Sequence, residues 1–197
     1  MSAKLRLGVL ASGGGRSLEN LALRIQGGEL DAQIAVVVTN TAEAFALERA
    51  ARLRIPSAVV SHKVHSTAET LSAAVFAVLD EQRVDLAVLA GWLRLLVIPP
   101  RWLGRVINIH PSLLPAFGGK GYFGERVHQA VIDRGVQFTG CTVHYVTNEY
   151  DAGPILLQRC IPVLPTDDAH SLAARVFEEE KLALPEAIRR HARSARA

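Results

Sequence analysis

Leu5-Arg6-Leu7-Gly8-Val9-Leu10-Ala11-Ser12-Gly13-Gly14-Gly15-Arg16-Ser17 is the stretch that decides the architecture of this chain. Its apolar run reads as a strand over residues 5–11, its glycines as a tight turn, and residues 17–26 as a helix ended by Gly27 and Gly28. The alternation continues outward. Residues 33–39 read as a strand, 42–53 as an alanine-rich helix, 58–61 as a short strand and 67–82 as a helix with apolar residues at helical spacing. A strand follows at 85–90, and after Pro99 and Pro100 another at 105–109. Repeated β-α-β units with continuous apolar strands imply a parallel sheet covered on both faces. The pattern then changes to a helix at 124–134 and strands at 138–146 and 155–164, whose short link implies an antiparallel hairpin. Residues 167–193 close the chain as a long helix with a break expected at Pro185. The expected class is α/β: a Rossmann-like, doubly wound, mostly parallel sheet with a C-terminal antiparallel hairpin and a closing helix. No internal repeat, linker or low-complexity segment interrupts it.

The run Val106-Ile107-Asn108-Ile109-His110 alternates, so Asn108 and His110 share one face of their strand. Pro111 cannot donate to a ladder, so the strand should stop at His110. An amide and an imidazole then stand together at the C-terminal edge of a strand, where open α/β sheets bind ligands. Asp151-Ala152-Gly153-Pro154 follows in the hairpin loop, and Pro115 with Gly118-Gly119 makes a long connection suited to closing over a site. The alternative is a pair of polar residues that merely cap a strand.

Composition sets the frame. At 197 residues the chain is expected to form a single domain, residues 1–197, that buries roughly 70% of its unfolded surface. Hydrophobic residues make up 49%, which excludes disorder. The apolar run near the N-terminus is too short for a signal peptide or membrane span. The two cysteines, Cys141 and Cys160, lack CxxC spacing and offer no metal framework, which suits a reducing cytoplasm. Net charge is only +3, and Arg189, Arg190, Arg193 and Arg196 form a basic tail at about 189–197, read as a solvated helix end rather than an RNA-binding element.

The turn at Gly13–Ser17 frees backbone N–H groups just before a helix N-terminus, a reasonable phosphate site with Arg16 and Ser17 as extra donors. It is not a dinucleotide fingerprint, because Leu18 stands where the third glycine would be, and no Gly-Lys-Ser/Thr makes it a P-loop. A glycine-rich turn without a ligand is the alternative.

Taken together these segments resemble the phosphoribosylglycinamide formyltransferase family, folate-dependent enzymes of purine synthesis. The resemblance runs from Leu5 to about Ile188 through Leu10–Gly15, Val88–Arg94, Asn108–Pro115, Thr139–His144 and Tyr150–Pro154. It implies that Asn108, His110 and Asp151 are the catalytic set. It likewise assigns Gly14, Gly15, Arg16, Ser17, Pro111 and Glu180 to the substrate, glycinamide ribonucleotide. Leu93, Arg94, Leu95, Leu96, Val146, Asn148 and Glu149 fall to the co-substrate, 10-formyltetrahydrofolate, and no metal is implied. The family usually has asparagine at the position of Ser17 and often at Gly14, commonly histidine at Lys181, and often arginine at Ala68. The segment Gly118–Gly124 is longer than in the best-known members. The resemblance further implies a cytoplasmic monomer or homodimer that uses small-molecule substrates, with no nucleic-acid or membrane partner.

The residue types suit such chemistry. Formyl transfer to an amine passes through a tetrahedral carbon bearing negative oxygen, which Asn108 and a protonated His110 would stabilise. Asp151 is expected to raise the His110 pKa and to hold a water that relays the proton. Other formyl-folate enzymes share this set. A formyltetrahydrofolate hydrolase is expected to carry a preceding domain, and a methionyl-tRNA formyltransferase an additional C-terminal one. A non-enzymatic phosphate- or nucleotide-binding module would not explain the spacing of the three residues. His144 is expected either to support the site or to pack in the core. His62 and His65 are read as surface loop, His128 as a solvated helix face, Cys141 and Cys160 as interior strand residues, and Trp92 as packing near a pocket floor.

Overall fold

The structure is a computed structural model and describes residues 4–194. The elements are β1 (Leu5–Ala11), α1 (Arg16–Gln26), β2 (Ala32–Thr39), α2 (Ala46–Arg52), β3 (Ser57–Val59), α3 (Ala68–Glu81) and β4 (Leu86–Leu89). A 3-10 turn at Pro100–Trp102 precedes β5 (Val106–His110), α4 (Glu125–Arg134), β6 (Phe138–Tyr145), β7 (Ile155–Pro162) and α5 (Ala169–Ser194). The strand order is β3-β2-β1-β4-β5-β6-β7. The chain groups into two compact units whose sequence boundary falls between Ile107 and Asn108, inside β5.

In the first unit β1 pairs in parallel with β2 and β4, and β2 with β3. The last five residues of β1 and all four of β4 are buried, the continuous apolar strands of a sheet covered on both faces. α3 starts where Thr67 caps it. The Thr67 hydroxyl oxygen accepts from the Thr70 N–H at 3.2 Å, and the Thr70 side chain accepts from the Thr67 N–H at 3.4 Å. Its buried face sets Phe76 against Trp102, ring centroids 5.3 Å apart.

Two helix expectations are corrected. α2 begins at Ala46, not at residue 42. Thr39 donates its hydroxyl to the Thr41 carbonyl at 2.9 Å and Thr41 bonds Glu43, so short polar side chains hold residues 41–44 in turns instead of a helical ladder. α5 runs unbroken through Pro185, because buried Ala183, Leu184, Ala187 and Ile188 pack on both sides and outweigh one lost ladder bond. Of the basic tail, residues 195–197, Arg196 included, lie outside the described residues.

In the second unit β6 and β7 form the antiparallel hairpin, with Thr142 opposite Gln158 and Gly140 opposite Cys160. α5 packs on both strands and on α4. Cys141 is buried as expected, but Cys160 is exposed: exposure largely alternates along β7, and its side chain falls on the outer set.

Candidate active site

β5 ends at His110, where Pro111 stops the ladder. Beyond it the chain is tied to the hairpin by side chains. The Thr142 hydroxyl donates to the Ser112 carbonyl at 2.7 Å and accepts the Leu114 N–H at 3.0 Å, while Gln158 donates its amide to the Leu114 carbonyl at 3.0 Å. Gly118 then passes close to Asp151. A Cβ there would meet Leu114 Cδ2 at 2.4 Å and Asp151 Cβ at 3.3 Å, so any side chain would have to displace Leu114 and crowd Asp151. Phe117 and Asp151 both adopt φ +54°, a conformation that aspartate tolerates and phenylalanine resists. The result is two backbone contacts on the site: the Phe117 carbonyl lies 2.8 Å from His110 Nε2, and the Gly119 N–H donates to Asp151 Oδ2 at 2.9 Å.

Asn108, His110 and Asp151 converge. Asn108 Nδ2 donates to Asp151 Oδ1 at 3.3 Å, and His110 Nδ1 stands 3.5 Å from Asp151 Oδ2. His144 joins them, its Nε2 3.1 Å from Asn108 Nδ2 and 3.5 Å from Asp151 Oδ1. Its Nδ1 lies 2.9 Å from the Tyr145 carbonyl and donates there, which leaves Nε2 as the nitrogen turned to Asn108. His144 therefore supports the site by orienting the Asn108 amide. His110 is pinned the same way: Nε2–H donates to the Phe117 carbonyl, so Nδ1 is the nitrogen that faces Asp151.

The electrostatics correct one expectation. Burial lowers the His110 pKa more than Asp151 and the Phe117 carbonyl raise it, with His144 adding to the lowering, so the resting imidazole is neutral rather than protonated. For Asp151, burial raises the pKa, but contacts with His144, His110 and the Gly119 N–H together outweigh it and hold the carboxyl below its ordinary value. The site rests as an ionised carboxylate beside a neutral imidazole.

His128 is a second correction. It is 4% exposed on the inner face of α4 with Val127 and Val131, and its buried Nδ1 has no hydrogen-bond partner among the described residues. Burial pushes its pKa down to about 4, with Glu125 opposing and His110, once it too is protonated in acid, adding to the shift. Folded His110 and His128 thus stay neutral where the unfolded chain, titrating near 6.5, takes up protons. Stability is full above about pH 6.5 and falls as pH drops toward 4. In His128→Gln the acid-side loss between these limits should shrink by on the order of 2–3 kcal/mol, read from urea midpoints across pH. An unchanged pH slope would show that His128 does not carry it.

The remaining assigned residues are placed as follows. In the first unit Gly13, Gly14 and Arg16 are exposed, Ser17 is half-buried, and Gly15 caps α1 with φ +73° and no side-chain cap. The segment 92–97 is held by Leu93 N–H to Ser12 Oγ at 3.0 Å and Val97 N–H to Ser72 Oγ at 2.8 Å. Leu93 and Arg94 are exposed, Leu95 half-buried, and Leu96 and Trp92 buried. His62 is anchored through Nδ1 to the Asn40 carbonyl at 2.7 Å. In the second unit Val146 is half-buried, Asn148 and Glu149 are exposed in the loop before Asp151, and Pro111 is half-buried. Glu180 is half-buried on α5, near enough to Cys141 to help burial push that thiol up to about 12. Sequence reasoning missed the Phe117 carbonyl, the Gly119 N–H, Thr142 and Gln158. Gly118-Gly119 marked the backbone contacts, whereas nothing short of the hairpin register marks the other two. Among the described residues no group of three or more histidine, cysteine or acidic side chains is arranged to hold a metal ion.

A carboxylate, an imidazole and an amide gather at the C-terminal end of a strand in a largely parallel sheet, and the chain belongs to the formyl transferase family, whose profile matches residues 5–188. It is 41% identical over 187 residues to the trifunctional purine biosynthetic protein adenosine-3 of Gallus gallus, covering 94% of this chain and 18% of that protein. It is also 41% identical over 178 residues to the chloroplastic phosphoribosylglycinamide formyltransferase of Vigna unguiculata, covering 89% of this chain and 57% of that one. The chain thus spans under a fifth of the first relative and little more than half of the second. Among solved structures it is similar to glycinamide ribonucleotide transformylase 1 from Symbiobacterium toebii, with TM-score 0.88, 37% identity and coverage of 96% and 88% of the two chains. Phosphoribosylglycinamide formyltransferase from Brucella melitensis gives TM-score 0.83 at 38% identity, covering 94% of each chain.

Proposed function

We propose that this protein transfers the formyl group of 10-formyltetrahydrofolate to the amine of glycinamide ribonucleotide. The observation that carries the reading is the convergence of Asn108, His110 and Asp151, with Asp151 bridging the other two at 3.3 and 3.5 Å. The amine nitrogen bonds to the formyl carbon, and the carbon's bond to the folate nitrogen breaks. His110 Nδ1, neutral at rest, takes the proton that the amine loses, directly or through a water held by Asp151. The imidazolium is then stabilised by the Asp151 carboxylate, and it and the Asn108 amide donate to the tetrahedral oxyanion. Asn108 must give up its 3.3 Å contact with Asp151 to do so. The proton finally passes to the departing folate nitrogen, and the two products, the formylated ribonucleotide and tetrahydrofolate, leave.

In this reading the Gly13–Ser17 turn with Pro111 and Glu180 receives the ribonucleotide, and Leu93–Leu96 with Val146, Asn148 and Glu149 receives the folate. The protein acts as a single formyltransferase domain in the cytoplasm, as a monomer or homodimer, without nucleic acid or membrane. Among the described residues no helix is long and apolar enough to cross a membrane. The test is a competition assay in which the purified protein meets formyl-folate with glycinamide ribonucleotide, with water alone, or with methionyl-tRNA. Formyl transfer to the ribonucleotide alone is expected. Formate release at a comparable rate, or formylated tRNA, would overturn the assignment.

A further inference from the structure

We infer that Arg49, anchored by Glu19, is the positioning residue that holds the Gly13–Ser17 turn in its anion-binding form; this rests on the substrate-phosphate reading of that turn. The N–H and C=O of a trans peptide point in opposite directions, so fixing one fixes the other. The Gly13 carbonyl accepts the Ala46 N–H at 3.0 Å, and the Gly14 carbonyl accepts Arg49 Nε–H at 2.8 Å. Both carbonyls are thus drawn onto α2, and the Gly14 and Gly15 N–H groups are turned away from it. Among the described residues none accepts a hydrogen bond from either N–H. Gly15 is pressed so closely on α2 that a Cβ there would lie 2.9 Å from Ala46 Cα. Two adjacent N–H groups turned to one side before an uncapped helix N-terminus are the concavity that holds a phosphate.

Arg49 is itself built in. Its side chain is 17% exposed, its guanidinium lies 5.1 Å from the Phe45 ring centroid, and its free end pairs with Glu19, which also takes Arg52. Glu19 stands in the first turn of α1, where a carboxylate opposes a bound anion. Its place there is explained by the arginine it holds.

That opposition gives a test whose sign decides. On charge alone, Glu19→Gln should tighten binding of inorganic phosphate; through Arg49 it should weaken it, by about fivefold or more. Arg49→Ala should weaken it about tenfold, and Arg49→Lys should fall between, since one ammonium cannot hold both the Gly14 carbonyl and Glu19 in the guanidinium's geometry. Binding is read from the amide chemical shifts of Gly14 and Gly15 as phosphate is titrated into the full chain. In kinetics the KM for glycinamide ribonucleotide should rise by the same factors, with kcat and the KM for formyl-folate unchanged. Unchanged or tighter phosphate binding in Glu19→Gln, with wild-type amides responding, overturns the role of Arg49 alone. Wild-type amides that ignore phosphate overturn the substrate reading of the turn, and this inference with it.

Discussion

Asp151→Asn is expected to lower kcat by about 10²- to 10⁴-fold while leaving the thermal midpoint close to that of the parent. The substitution keeps the shape. An amide in place of the carboxylate retains one oxygen, able to accept either from Gly119 N–H or from Asn108, the two donors that now reach Oδ2 and Oδ1. The charge is what disappears. Asp151 is ionised at neutral pH because its contacts with His144, His110 and Gly119 outweigh its burial. It is also the largest influence raising the pKa of buried His110. Without it, burial acts on His110 almost unopposed, the imidazolium becomes harder to form, and the histidine should titrate at still lower pH. Turnover measured alongside the His110 ring shifts in NMR checks both halves. Activity within tenfold of the parent, or a His110 pKa that does not fall, would sink the proposed proton path.

For Asn108→Ala the expected loss is about 10²- to 10³-fold in kcat and equally in kcat/KM, the signature of a donor used in the transition state. Asn108 is half-buried on β5 and divides its amide hydrogens between Asp151 Oδ1 and His144 Nε2. Truncation removes the oxyanion donor and also strips His144 of the group it orients. Asn108→Asp separates these roles: it preserves shape but sets a second carboxylate against Asp151, which raises the pKa of one of the pair. Its activity at neutral pH should be no better than that of the alanine variant. A rise confined to KM would mean that Asn108 binds substrate in its ground state, and the oxyanion role would be wrong.

Much of this was legible locally. The apolar run of β1, the glycines that end it and the capping threonine of α3 each act within a few residues, so their reading needs no partner. Pro111 stops β5 at His110 by its covalent structure, and the two-residue period puts Asn108 on the same face. The third member, Asp151, was placed by resemblance and by its hairpin loop. Local chemistry misled where distant packing intervened: α5 runs through Pro185 because apolar neighbours on both sides bury it.

The residue types of the site, the strand that ends at it and the glycine turn before α1 were therefore determined by the sequence itself, because each depends on covalent geometry or on neighbours in the chain. Tertiary structure decided the rest. Thr142 and Gln158 became partners only through the β6–β7 register, which sets how the loop after His110 is held. His128 left the solvent because of what α4 packs against, and His110 rests neutral because the folded chain excludes water from it more effectively than Asp151 attracts its proton. Desolvation is a property of the whole packed structure, and no short stretch of sequence carries it.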